Sequence, residues 1–440
     1  MSTLHLIPGP RTPALFNTLE YGAFPRRFAL RHAARFGRTY RVRGLLGDAL
    51  FTADPEHVRR VFAADSDTLG SLAAHSLSWL FGSRSVLLTS GSTHRRQRKL
   101  LAPPLNGPRL RAFGTTMQAL ADEHVARLTP GTRVSALSIS TAFTLDVIIR
   151  TVFGVTAEES AHETAAVRQH LMAMVHDIPA LAVFAHPLRT PLYPPWKRYM
   201  RAHEGFDAWL TSKIRQRRES GVYGEDVLSL LLNARYDDGS AMDEREIFDQ
   251  LITLLLAGHE TTSLTVATCL GRLLREPELL ARVRAEVDAT RGPEDVQRLP
   301  LLSAVIDETL RIDPIVTDVG RMVESPFALD DKLTLARKDV LIVLIEALHH
   351  DPLLYPEPTR FRPERFLERK FAPHEYAPFG GGVRRCLGAA FSDYETKILL
   401  ASMLRRLNLT LADSRPEPRV RRNITMGPKH GVALRVVGLR

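Results

Sequence analysis

Cysteine is nearly missing from this chain: Cys269 and Cys386 are the only two in 440 residues. Two cysteines cannot build a disulfide framework, so a packed core must hold the fold, and the expected compartment is a reducing cytoplasm. No stretch resembling a secretory signal precedes the turn at Ile7 to Pro10. Pro/Gly/Ser-rich linkers, blocks of like charge and internal repeats are also lacking, which removes the usual marks of a divided chain. The length would suit two or three domains of about 150 residues. With no linker to separate them, the reading is one domain over 1–440: a β-rich part to about residue 65, a helical core over about 66–320, and a loop over about 372–390 that carries Cys386.

A clean membrane-length apolar run is missing too. The best window, Leu251 to Leu270, is interrupted by Gly258, His259 and Glu260 and carries five threonines and serines in its second part, which predicts a buried core helix and no membrane span. Positive charge is in excess, +10 with a pI near 9.8. Zinc-finger spacing, aromatic residues interleaved with basic strands and a lysine-rich tail are all absent, so a nucleic-acid partner is not expected. A solvated basic surface and a local docking patch remain the two readings of that charge.

The patterning that is present is mainly helical. Apolar positions Ile247, Leu251, Leu254, Leu255, Val266 and Leu270 recur at helical spacing within Asp243 to Arg275, predicting one helix of around thirty residues. Short strand-like runs stand at Thr39 to Ala53 and Leu333 to Leu344, and Asn423 to Val436 reads as a hairpin turning near Gly427 to Gly431.

The densest chemistry lies in Phe379 to Phe391, "FGGGVRRCLGAAF". Gly380, Gly381 and Gly382 permit backbone shapes and close approaches that a Cβ forbids, so something flat or bulky can lie against them. Cys386 precedes a helical pattern, and the helix N-terminus together with Arg384 and Arg385 should favour its thiolate. A lone thiolate there is an inert buried cysteine, a nucleophile, or a ligand to a cofactor that brings its other ligands with it, as haem does.

The rest of the chain discriminates. Phe379, Gly382, Arg384, Cys386 and Gly388 together resemble the haem-binding signature of the cytochrome P450 superfamily, whose thiolate-ligated haem favours O–O cleavage. Three further stretches are similar to motifs of that family. "AGHETT" (Ala257 to Thr262) resembles its oxygen-activation segment, with Gly258 leaving room and Glu260 and Thr261 as the acid–alcohol pair. Standing alone, Thr261 would be read as a mid-helix hydroxyl bonded back to the preceding turn. Glu308 and Arg311, with Arg365 of "FRPERF", resemble a structural Glu–Arg–Arg network. His94 and Arg98, four apart, resemble the pair that reaches a haem propionate, and Arg321 and Arg384 occupy the positions of two more propionate arginines.

The resemblance implies a mainly α fold with small β-sheets, the triangular cytochrome P450 fold with its long central helix over haem b. It implies a soluble bacterial monooxygenase, a monomer, that inserts one atom of O2 into a lipophilic fatty acid, terpenoid, steroid or polyketide of secondary metabolism. Electrons would come from a separate acidic ferredoxin or flavodoxin with its reductase, docking on Arg95, Arg96, Lys99, Arg109, Arg111 and Arg385. Substrate contacts by family position would include Leu80, Phe81, Leu181, Phe184, Leu254, Ala257, Ile315, Val316, Thr317, Ile424 and Met426. A peroxygenase and an O2-independent isomerase or dehydratase are alternatives that the acid–alcohol pair disfavours. A non-enzymatic basic binding protein would leave the cysteine signature unexplained. One departure stands out: Leu333 to Leu341 lacks the proline and glycine of the family's turn, so Lys338 and Asp339 must make it, through an aspartate side-chain bond to backbone.

Overall fold

One helix, Glu244–Leu273, runs for 30 residues through the protein. At 1.5 Å per residue it is about 45 Å long, enough to cross the whole molecule. Asp243 starts it by accepting the Glu246 N–H at 2.9 Å, and Glu244 and Glu246 place negative charge in its first turn. Most of its residues from Ile247 to Leu273 are buried, as predicted for a core helix. Among the described residues no helix is long and apolar enough to cross a membrane. In this computed structural model the described residues are 3–45, 47–74, 76–155, 161–176 and 188–440.

Two helices pack along the long helix. Ser140, in the helix Ala136–Thr151, donates to the Ser263 carbonyl at 2.9 Å. In the helix that follows Cys386, Ala389–Arg406, Ser392 meets Thr262 at 3.0 Å. Cys269 lies fully buried in this core, where burial pushes its thiol up to about 12, so it is inert packing.

The strands are short. β1 (Thr39–Gly44), β2 (Gly47–Thr52), β3 (Leu69–Ser71), β5 (Asp318–Val323) and β8 (Val340–Leu344) form one sheet in the order β1-β2-β8-β5-β3. Only β2 and β8 run parallel in it. β4 (Arg133–Ser135), β9 (Leu407–Leu411) and β12 (Ala433–Leu439) form a second sheet. Two pairs stand apart: β6 (Phe327–Ala328) with β7 (Thr334–Leu335), and β10 (Arg419–Arg422) with β11 (Thr425–Pro428). The first 65 residues, expected to be β-rich, hold the helices Ala14–Ala23, Pro25–Phe36 and Pro55–Ala63 beside β1 and β2, so that part holds more helix than strand.

The hairpin expected over Asn423 to Val436 is not formed, since β11 and β12 belong to different sheets; a hairpin stands one strand earlier, between β10 and β11. Arg422 pairs with Thr425, and the two-residue turn is Asn423-Ile424, with Asn423 at φ 53°. Asparagine tolerates this left-handed backbone. The segment after β11 leads instead to β12, in a different sheet. The turn before β8 is built as the sequence suggested: Lys338 takes φ 74°, and Asp339 Oδ2 accepts the Ala336 N–H at 2.8 Å.

Candidate active site

The glycine run owes its composition to a neighbour within the protein. A Cβ on Gly382 would lie 1.8 Å from the Phe62 carbonyl oxygen, and one on Gly381 would lie 2.1 Å from the Phe62 ring. Gly380 and Gly382 both take φ 64°. The flat body expected against the glycines is therefore Phe62, at the end of the helix Pro55–Ala63. That packing clamps the loop, and the Cys386 N–H donates back to the Phe379 carbonyl at 2.9 Å. Phe379 packs against the main core, and Gly388 caps the following helix. Cys386 itself stays accessible.

The expectation of a favoured thiolate is corrected. Although the residue keeps an accessible face, the protein packed around its sulfur pushes the thiol above its ordinary range, and the Gly388 backbone N–H, Arg385 and Arg98, which pull it down, do not compensate. A metal bound to the sulfur deprotonates it outright, so the loop suits a ligand better than a free nucleophile. Among the described residues no three His, Cys, Asp or Glu side chains cluster as a metal site.

Above the loop four basic side chains converge. Arg98 donates to the Arg385 carbonyl at 2.8 Å, tying the helix Gly91–Leu101 to the cysteine loop. Arg384 donates to the Thr89 carbonyl and the Ser90 hydroxyl, both at 2.8 Å, while its Nε is buried without a partner. Arg321 is 8 % exposed and donates to the Gly320 carbonyl at 3.0 Å. Among the described residues none of the three makes a carboxylate ion pair. Burial lowers both Arg321 and Arg384 to about 10, helped by Arg384 at Arg321 and by Arg98 at Arg384, where Glu324 pulls the other way. His94, 2 % exposed with Nδ1 unpartnered, is pushed down to about 4 by burial and by Arg384, Arg98, Arg321 and Arg95. Buried cations are normally paired. A cluster that lacks its anions, with orphaned nitrogens, fits a cofactor bringing two carboxylates, as haem brings its propionates.

On the long helix, Leu254, Ala257, Gly258 and Thr261 form one stripe that is less buried than the faces on either side. The Thr262–Ser392 bond holds this segment against the helix that begins at the cysteine. Thr261 donates its hydroxyl to the Ala257 carbonyl at 2.7 Å, the back-bonded geometry of a mid-helix threonine, and its oxygen keeps acceptor capacity. Gly258 is not demanded by protein sterics, since a Cβ there would meet Ile148 at an ordinary 3.7 Å. The Glu260 carboxyl lies beside Thr425 and Arg422 of β10–β11. Burial raises its carboxyl, and the Thr425 hydroxyl and Arg422 pull it back.

The expected substrate residues divide. Leu80 and Phe81 are buried in a small core with Leu77, Leu88 and Tyr199. Ile315 and Met426 are buried and joined by the Met426 N–H donating to the Ile315 carbonyl at 2.8 Å. Thr317 is buried with its hydroxyl on Asp318 at 2.9 Å, Val316 is half-buried, and Ile424 is 49 % exposed at the hairpin turn. Leu181 and Phe184 lie outside the described residues. The Glu–Arg–Arg network is as expected: fully buried Glu308 accepts from Arg311 Nε at 2.7 Å and from Arg365 Nε at 3.1 Å. Sequence reasoning missed Phe62, Thr425 and Arg422; a triple glycine hinted at the first, and no local signal marks the others.

A thiol loop, an accessible helix stripe and a basic cluster without carboxylate ion pairs among the described residues are the features expected of a haem-binding oxygenase, and comparison with known proteins shows the family. The family model described as Cytochrome P450 matches residues 7–434. "Putative cytochrome P450 135A1" of Mycobacterium tuberculosis is 34 % identical over 444 aligned positions, covering 100 % of this chain and 96 % of that protein. "Putative cytochrome P450 138" of Mycobacterium bovis is 32 % identical, covering 97 % and 95 %. Among solved structures, the cytochrome P450DA heme domain matches with a TM-score of 0.86 at 25 % identity, over 98 % of this chain and 96 % of that one. Retinoic acid bound cyanobacterial CYP120A1 shares the fold, with a TM-score of 0.85 at 23 % identity over 98 % and 99 %. The chain belongs to the cytochrome P450 family. It is an oxygen-incorporating haem monooxygenase that works with a substrate, O2 and a source of electrons.

Proposed function

We propose that Cys386 is the iron ligand and that the chain acts as one cytochrome P450 domain on haem b. The observation that carries this reading is the basic cluster of His94, Arg98, Arg321 and Arg384 without carboxylate partners, joined to the cysteine loop through the 2.8 Å bond from Arg98 to the Arg385 carbonyl. These four side chains hold the propionates, while Phe379, Arg384 and Gly388 frame the loop. Bound there, haem supplies the iron at which O2 is activated and one oxygen atom is passed to the substrate.

The protein's share is position, proton supply and exclusion of water. Thr261, its own proton committed to Ala257, offers an oxygen that accepts from a water on the stripe of Leu254, Ala257 and Gly258. Glu260 carries the proton that such a water passes on, and its raised affinity keeps that proton available. Ile315, Val316, Thr317, Ile424 and Met426 border the substrate space from the segment before β5 and from the hairpin. The ligand is a lipophilic small molecule of fatty-acid, terpenoid, steroid or polyketide type, made or modified in bacterial secondary metabolism and hydroxylated by a monomeric cytoplasmic enzyme.

An acidic ferredoxin or flavodoxin, served by its reductase, delivers the electrons. The docking face is less basic than its sequence: Arg95, Arg96, Lys99 and Arg109 pair with Asp67, Asp238, Asp237 and Glu225 at 2.5, 2.9, 2.6 and 2.9 Å. Arg111 and Arg385 make no ion pair among the described residues and offer the freer charge. The test of the central assignment is the absorption spectrum of dithionite-reduced protein under carbon monoxide. A strongly red-shifted Soret band that vanishes in Cys386→Ala supports the thiolate ligand. A spectrum indifferent to the substitution refutes it.

A further inference from the structure

The C-terminal hairpin reaches the oxygen-activation segment closely. A Cβ on Gly427 would lie 2.4 Å from Leu264 Cδ2, so glycine lets β11 settle against the long helix one turn beyond Glu260. The Met426 N–H bond to the Ile315 carbonyl, 2.8 Å, fixes the strand from its other edge. These two contacts bring Thr425, 2 % exposed, to the Glu260 carboxyl, with Arg422 beside it.

Proton counting shows what that contact can do. A threonine hydroxyl has one proton and two acceptor lone pairs. Thr425 donates its proton to the Arg422 carbonyl at 2.7 Å. While that bond stands, Thr425 can only accept from Glu260, which requires Glu260 to be protonated. Once Glu260 is a carboxylate, a hydrogen bond between the two requires the hydroxyl to leave the Arg422 carbonyl and donate to Glu260.

We propose that Thr425 is a positioning residue for Glu260: its hydroxyl serves the Arg422 carbonyl while Glu260 holds its proton, and swings to the carboxylate when that proton leaves. The proton goes from Glu260 to a water on the stripe side, no proton leaves Thr425, and only its O–H direction changes. The hairpin thereby stabilises the deprotonated acid at the moment of delivery, with the Arg422 guanidinium adding charge. This inference rests on the reading of Glu260 as the proton carrier.

The residues flanking Glu260 on the long helix are held by polar, uncharged groups of two other helices. Ser140, Thr141 and Thr144 come from the helix Ala136–Thr151, where Thr144 donates to the His259 carbonyl at 3.4 Å, and Ser392 comes from the helix after Cys386. His259, next to Glu260, turns its Nε2 to the Thr141 carbonyl at 3.2 Å. Among the described residues Arg422 is the charged group that acts on the Glu260 carboxyl beside Thr425.

Infrared difference spectroscopy of the haem-loaded protein tests this without a substrate. The band of interest is the carboxyl C=O stretch lost in Glu260→Gln, which separates it from other buried acids such as Glu346 and Glu395. Its loss with rising pH should move to higher pH in Thr425→Val and in Arg422→Gln, and should return to the wild-type position in Thr425→Ser. The reduced carbon monoxide spectrum of each variant confirms that the haem site is intact. A Glu260 band whose titration is the same in wild type, Thr425→Val and Arg422→Gln overturns the inference alone. A spectrum in which Glu260→Gln removes no band overturns the proton-carrier reading and the inference with it.

Discussion

Single residues here owe their states to what surrounds them more than to their type. His349 accepts the Ala377 N–H on Nε2 at 2.9 Å, and His350 accepts from Arg26 at 2.8 Å, so both must be neutral in the fold. Burial, with nearby arginines, pushes His350 down to about 4 and His349 well below its ordinary value. In the unfolded chain each takes a proton below about 6.5. The stabilisation is therefore complete above that pH and is lost as pH falls toward 4, by on the order of 3 kcal/mol for His350. Urea midpoints measured from pH 7 to pH 4.5 should fall, and His350→Gln should flatten the slope. Glu308→Ala leaves Arg311 and Arg365 buried without their anion, and should cost about 3–5 kcal/mol, read as a lost yield of haem-loaded protein. Both networks were partly legible: the Glu–Arg spacing marked one, whereas nothing local marks the histidines as acceptors.

At the scale of elements, the cysteine loop is held by a helix more than 300 positions away in sequence. The Gly381 and Gly382 conflicts with Phe62 differ in kind, the first with its ring and the second with its backbone, at φ 64° for Gly382. Gly381→Ala should impair haem incorporation and be rescued by Phe62→Ala. Gly382→Ala should impair it without rescue, because no side-chain change removes a carbonyl or the cost of a left-handed alanine. Haem content per purified chain, read by absorbance, checks both. The long helix was legible because its apolar period and its Asp243 cap are local. The hairpin was placed one strand too late because glycines at 427 and 431 signal turns by type, while the turn actually made at Asn423-Ile424 follows from β12 being claimed by β4 and β9.

For the whole molecule, net charge matters through where it is left unpaired. Reduction by an acidic redox partner should slow several-fold at low salt in Arg385→Glu, and less in Arg96→Glu, whose arginine already faces Asp238. Both differences should shrink as ionic strength rises and the Debye length contracts. Stopped-flow reduction rates across a salt series make the comparison. The sequence by itself determined the class of fold, the thiol loop and which motif residues could serve haem, because helical period, a glycine–arginine–cysteine spacing and an acid–alcohol pair are properties of neighbouring residues. Tertiary structure decided that Phe62 clamps the glycines, that His94 and three arginines meet with no carboxylate ion pair among the described residues, and that Glu260 lies by the C-terminal hairpin. Those are contacts between segments tens to hundreds of residues apart, set by how helices and sheets pack, and no local pattern carries that distance information.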